Sequence, residues 1–147
     1  MSRIQLALNV SNLEEAVEFY STFFKTPPAK IRQGYANFAI EEPPLKLVLI
    51  ENEGSSGSIN HLGVEVFSTD EVTAAAGYLS GVGLATRIQE STTCCFAVQD
   101  KVWVDGVDGL PWEVYTVIDD SATARGTERD DACCFTSPKS SAASPCC

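Results

Sequence analysis

One pattern of strand, helix and further strands occurs twice in this chain, which confines the fold to a pair of like modules. Ile4-Gln5-Leu6-Ala7-Leu8-Asn9-Val10 opens the first copy and Asn60-His61-Leu62-Gly63-Val64-Glu65-Val66 the second. Each alternates in character from residue to residue, as a strand buried on one face does. A helical stretch follows each. Ser11-Asn12-Leu13-Glu14 has capping-box spacing, and Leu13, Ala16, Val17, Tyr20, Phe23 and Phe24 then recur at helical intervals. Ser68-Thr69-Asp70-Glu71 repeats the entry signal, and Val72, Ala75, Ala76 and Leu79 form a weaker apolar stripe. Gly81-Val82-Gly83 supplies residues that tolerate left-handed backbone at the stop. Strand-like runs complete each copy, residues 35–40 and 45–50 in the first, 95–104 and 112–117 in the second. The expected class is therefore α+β, a single domain over residues 1–118 built of two modules at about 1–52 and 58–118.

Composition agrees with one small core, since 147 residues with 44% hydrophobic content can bury one. After Ile118 the chain turns to Asp, Ser, Ala, Thr and Pro without apolar periodicity. Residues 119–147 are thus expected to form a disordered, flexible tail. That tail carries Cys133, Cys134, Cys146 and Cys147. Twenty acidic residues against ten basic, with no cluster of lysine or arginine, argue against nucleic acid as a partner. No stretch approaches the roughly 20 apolar residues of a membrane span. The N-terminus lacks the features of a signal peptide, so a cytoplasmic location is expected.

Strand parity sorts the side chains. Ile4, Leu6, Leu8 and Val10 share one face and should pack on a helix, which turns Gln5, Ala7 and Asn9 the other way. Leu62, Val64 and Val66 likewise oppose His61, Gly63 and Glu65. The closing strands align as Lys46-Leu47-Val48-Leu49 against Trp112-Glu113-Val114-Tyr115, making Leu47 the counterpart of Glu113. If the two sheets join into a cupped half-barrel, Gln5, His61 and Glu113 converge and offer an amide oxygen, an imidazole nitrogen and a carboxylate oxygen to one ion. Three such donors leave about three positions of an octahedral ion open, as non-heme iron requires, and they suit Fe(II) or Mn(II). Taken singly, Gln5 reads as well as a solvated strand residue, His61 as a core imidazole and Glu113 as a surface carboxylate. Their coincidence at equivalent positions, with the only histidine of the chain among them, favours the metal.

The duplicated module resembles the vicinal oxygen chelate superfamily of glyoxalases, extradiol dioxygenases and fosfomycin or bleomycin resistance proteins. Within it, Tyr35-Ala36-Asn37-Phe38-Ala39-Ile40, Pro43-Pro44-Leu45-Lys46-Leu47-Val48-Leu49, Asn60-His61-Leu62-Gly63-Val64-Glu65-Val66, residues 93–104 with their vicinal Cys94-Cys95, and Pro111-Trp112-Glu113-Val114-Tyr115 are similar to the organoarsenical carbon-arsenic lyases. Some relatives are named cadmium-induced proteins. The match covers residues 1–118. It implies the vicinal oxygen chelate fold and a dioxygenase that uses Fe(II) and dioxygen to cleave the carbon-arsenic bond of trivalent methyl or aryl arsenicals, releasing arsenite. Carried over residue by residue, it implies that Gln5, His61 and Glu113 hold iron and that Cys94 with Cys95 binds arsenic.

Arsenic chemistry accords with that division, because trivalent arsenic is soft and thiophilic while oxygen-activating iron takes harder ligands. An organoarsenical has one valence on carbon and two left for sulfur. Adjacent residues on a regular strand point apart, so the pair must sit in a turn, a bulge or a mobile loop, expected to begin near Ser91. Two unrelated thiols, or a disulfide, are the plainer readings of the same pair. The tail cysteines would capture metalloid or stand idle. Glu65 is a candidate base by parity alone, and Tyr35, Phe38, Phe96 and Tyr115 are candidates for the pocket wall. Two rival functions are a thiol-based protein that sequesters arsenicals or cadmium without turnover, and a glyoxalase-type isomerase, which would need a fourth, basic ligand near Leu47. The modules could pair between chains as well as within one, so a homodimer is one arrangement the sequence allows.

Overall fold

The computed structural model describes residues 2–94 and 96–120. Of the expected tail, Asp119 closes the last strand and Asp120 follows it, while residues 121–147 with their four cysteines, like Cys95, lie outside the described residues. Among the described residues no helix is long and apolar enough to cross a membrane. The chain divides into two compact units, Ser2–Glu65 and a second that begins at Val66.

The first unit contains β1 (Arg3–Val10), α1 (Leu13–Phe24), β2 (Lys30–Arg32), β3 (Tyr35–Ile40), β4 (Leu45–Glu51) and β5 (Ile59–Glu65), with strand order β2-β3-β4-β1-β5. β1 runs parallel to β4 and antiparallel to β5. β5 opens the second copy of the sequence pattern, yet its ladder with β1 holds it in the first unit. The cap of α1 is Asn12 rather than Ser11: Asn12 Oδ1 accepts from the Glu15 amide at 3.1 Å. Lys25, in left-handed conformation, ends the helix.

The apolar face of the sheet packs on α1 as parity requires. Ala36, Phe38, Ile40, Leu47 and Leu49 form its buried centre, flanked by Leu6, Leu8 and Val10 of β1 and by Leu13, Ala16, Val17, Tyr20 and Phe24 of α1. Phe23 departs from the expected stripe. It is exposed and stacks on the exposed Phe19, since its helical position falls outside the core-facing arc. Phe38 also departs from expectation: it pairs with Leu47 and lies in this core, on the side of the sheet that packs on α1. Its removal should leave a cavity that packed neighbours cannot collapse, so Phe38→Ala is expected to lose about 3–5 kcal/mol. A urea titration should show a lower midpoint at an unchanged slope.

Leu47 requires a second correction. It pairs with Leu6, not with Gln5, and lies on the helix side of the sheet. The β4 residues on Gln5's face are Lys46, its direct partner, Val48 and Ile50. The alignment of Leu47 with Glu113 was thus off by one residue, and one residue moves a strand side chain to the opposite face.

The second unit contains α2 (Thr69–Gly81), β6 (Thr86–Cys94), β7 (Ala97–Asp105) and β8 (Pro111–Asp119), an antiparallel set in the order β8-β7-β6. Here Ser68 is the cap and Glu71 reaches back to it. Ser68 Oγ accepts from the Glu71 amide, while Glu71 Oε2 accepts from the Ser68 hydroxyl and the Phe67 amide. Gly83, at φ 87°, follows the helix where a left-handed residue is needed. β2 and β6 carry no strand signal in the sequence. β6 is mostly polar and exposed, so it lacks the apolar alternation that marks a half-buried strand.

Candidate active site

In the first unit the face away from α1 carries Gln5 and His61, each only 5% exposed. Ala7 pairs with His61 and Gln5 with Gly63, so the two polar residues are diagonal neighbours on adjacent strands. Gln5 Nε2 lies 3.1 Å from His61 Nε2. The register slips between Ala7 and Leu8, leaving Asn60 as an extra residue in β5. A bulge re-aims side chains locally, and the Asn60 amide here meets the ring of the next residue, with Oδ1 2.7 Å from His61 Nδ1.

That contact is the end of a chain whose direction can be followed from a carbonyl, which can only accept. The Ser58 hydroxyl donates to Ser55 O at 2.6 Å, so its oxygen accepts from Asn9 Nδ2 at 2.9 Å. Asn9 Oδ1 then accepts from Asn60 Nδ2 at 3.0 Å, which turns Asn60 Oδ1 to the imidazole. In the neutral imidazole this chain selects the tautomer with the proton on Nδ1 and the lone pair on Nε2, toward Gln5. Metal-binding histidines are commonly oriented in this way by a second partner. If His61 is a metal donor, Asn60→Leu should weaken affinity for a divalent ion about 10–100-fold, as measured by competition with a chromophoric chelator. Glu65, the candidate base, is occupied in an ion pair with Arg3, its direct partner across the ladder.

In the second unit Asp100 turns toward α2, where its carboxylate accepts from Thr69 Oγ1 at 2.6 Å. Its β7 neighbours Gln99, Lys101 and Trp103 face the other way. They are joined there by Cys94 and Thr92 of β6 and by Glu113, Tyr115 and Val117 of β8, as the ladder register requires. Glu113 Oε2 is 2.9 Å from Lys101 Nζ, with the two side chains 3% and 2% exposed. The ammonium also lies 5.3 Å from the Trp103 ring centre and 5.9 Å from that of Tyr115, within the range of cation-π attraction. Burial of this pair is tolerable because each charge has its counterion, and a carboxylate retains acceptor sites beyond the one Lys101 uses. Sequence reading passed over Lys101. Its only signal was strand parity, which places it on one face between Gln99 and Trp103.

Cys94 is buried at the end of β6, paired with Ala97 across the hairpin. The segment from Ser91 to Cys94 is strand rather than the expected mobile loop. The register slips between Gln89 and Thr92, and Ser91 takes φ 49° at that irregularity. The Ser91 amide donates to Asp100 Oδ1 at 2.7 Å, so one buried carboxylate ties the bulge to the start of α2. This fixes the approach of the chain to Cys94. Beyond it Phe96 has φ 63°. Tyr35, the remaining aromatic candidate, lies on the face of Gln5, and its hydroxyl accepts from Asn37 Nδ2 at 2.9 Å.

Residues 3–114 match the Glyoxalase/Bleomycin resistance protein/Dioxygenase superfamily. Cadmium-induced protein CadI of Mycobacterium tuberculosis is 60% identical over 123 residues, 84% of this chain and 81% of the relative. The trivalent organoarsenical cleaving enzyme of Thermomonospora curvata is 56% identical over 135 residues, 91% of this chain and 89% of the relative. Among solved structures, an extradiol ring-cleaving dioxygenase from B. fuscum superposes with a TM-score of 0.60 at 16% identity, over 82% of this chain and 35% of that one. At that identity the likeness is one of fold. The matched span, the depth of identity to both relatives and the shared fold agree that the chain belongs to the Glyoxalase/Bleomycin resistance protein/Dioxygenase superfamily, in the group that includes the trivalent organoarsenical cleaving enzymes and CadI.

Proposed function

We propose that this protein is an Fe(II)- and dioxygen-dependent enzyme that cleaves the carbon-arsenic bond of trivalent organoarsenicals, such as methylarsonous acid and reduced aromatic arsenicals, to give arsenite. Gln5, His61 and Glu113 are the metal donors in this reading, and Cys94 and Cys95 hold arsenic. The observation that carries it is a buried thiol, Cys94, on the same sheet face as a buried carboxylate, Glu113, in a chain 56% identical to a named organoarsenical cleaving enzyme.

The donor set fits a divalent first-row cation. His61 is buried, the Asn60 contact leaves Nε2 as the lone-pair nitrogen of the neutral ring, and Gln5 needs only a half-turn of its terminal amide to present Oε1 in place of Nε2. Among the described residues no three His, Cys, Asp or Glu side chains gather. The proposed set contains only two of those types, because its third donor is an amide. When bound, Fe(II) supplies the capacity to take up and activate dioxygen.

The protein side of the reaction begins with thiol exchange at arsenic, in which cysteine sulfur displaces hydroxyl groups and water leaves. Holding the arsenical on the chain makes the later encounter effectively intramolecular. Lys101 balances the buried charge of Glu113 and keeps its carboxylate in place through the Nζ contact. The Asn60, Asn9 and Ser58 chain keeps the His61 proton on Nδ1. Stripping the protein with chelator and reloading it separately with Fe(II), Mn(II) or Zn(II) tests the assignment. Fe(II) should restore arsenite release together with oxygen uptake, whereas full restoration by Zn(II) without oxygen uptake would refute it.

A further inference from the structure

Gln99 is only 6% exposed, and its two polar atoms are treated differently. Nε2 donates to the Cys94 carbonyl oxygen at 3.3 Å, while Oε1 is sealed from solvent with no hydrogen-bond partner. Turning the amide over does not help, because it would set Oε1 against another oxygen. A buried acceptor left unmet costs about 1–3 kcal/mol, and in native proteins such groups are few and call for a reason. This one lies on the face shared by Cys94, Lys101 and Glu113, with its amide held against the residue that carries the thiol.

We propose that Gln99 is a specificity-determining residue whose Oε1 accepts a hydrogen bond from an arsenic-bound hydroxyl of the docked substrate; the inference rests on the arsenical reading above. A monosubstituted trivalent arsenical is R–As(OH)2. Attack by the Cys94 thiol forms one As–S bond and breaks one As–O bond, and the thiol proton leaves with the displaced hydroxyl as water. Arsenic stays trivalent, so no oxidant or reductant is needed. The product, R–As(OH)–S–Cys94, keeps one hydroxyl. In a buried site that hydroxyl needs an acceptor, and a neutral amide oxygen provides one without bringing in an uncompensated charge. A disubstituted arsenical, R2As–OH, loses its only hydroxyl in the same exchange and has nothing to offer Gln99. The residue therefore favours capture of arsenicals with a single carbon substituent.

The state that uses Gln99 is the one-thiol adduct, so the test traps it. In full-length, metal-free Cys95→Ala protein, the binding of phenylarsonous acid and of diphenylarsinous acid is followed by tryptophan fluorescence, with and without Gln99→Met. Trp103, buried on the same face, is a suitable reporter. Losing one hydrogen bond should weaken phenylarsonous acid about tenfold, equivalent to about 1.4 kcal/mol, and leave diphenylarsinous acid unchanged. Equal weakening of both would mean that Gln99 only holds the hairpin through Cys94 and would overturn the proposal, as would no change in either. If the Met variant fails to fold, Gln99→Leu makes the same comparison. Failure of the Cys95→Ala parent to bind either probe, with no difference from a Cys94→Ala/Cys95→Ala control, would instead sink the arsenical reading itself.

Discussion

Lys101→Met is expected to destabilise the metal-free protein by about 3–5 kcal/mol, the usual cost of stranding one member of a buried ion pair. Lys101 Nζ and Glu113 Oε2 are 2.9 Å apart with both side chains almost fully buried, so removal of the ammonium leaves a carboxylate without its counterion in a medium that solvates it poorly. Methionine retains most of the lysine stem, so packing changes little and the loss is mainly electrostatic. Two further measurements give this prediction its force. Lys101→Met/Glu113→Leu should recover most of the lost stability, because no charge is then stranded. Fe(II) should also stabilise Lys101→Met more than it stabilises the wild type, if Glu113 is a metal donor, since the cation takes over part of the ammonium's work. Both are read as shifts in denaturation midpoint with and without metal.

The second large effect is expected at His61. His61→Ala removes the only imidazole of the chain and with it the one nitrogen donor of the proposed set. Arsenite release should fall to background, and isothermal titration should show that tight Fe(II) binding is gone. A milder change separates donor from scaffold. Asn60→Leu leaves the imidazole in place but removes the partner that keeps its proton on Nδ1, so activity should return at high Fe(II) concentration in that variant and not in His61→Ala. Full activity of His61→Ala at ordinary Fe(II) would remove His61 from the site.

Parity was the most informative part of the sequence. It placed Gln5 and His61 on the face away from α1, because strands of alternating character next to an amphipathic helix leave few other choices. It failed at Leu47, where a run of consecutive apolar residues in β4 carries no alternation to fix the register, and the strand is paired on both sides. β6 escaped notice for the opposite reason, being too polar to read as buried. Lys101, Gln99 and Asp100 were visible only as a polar interruption between Val98 and Val102. Their roles depend on partners far along the chain: Lys101 on Glu113, Asp100 on Thr69 and Ser91. No local pattern announces a contact of that kind. The proton position on His61 likewise follows from Asn9, Asn60 and Ser58, a path that exists only after β1 and β5 have paired around a bulge.

The most direct test of the central claim is arsenite release from phenylarsonous acid by Fe(II)-loaded protein, with and without dioxygen, comparing wild type with Cys94→Ala. The account predicts release by the wild type only when oxygen is present, with oxygen consumed alongside it, and loss of release in Cys94→Ala. Tight binding of the arsenical with no release under any condition would contradict it and make the chain a thiol-based sequestering protein.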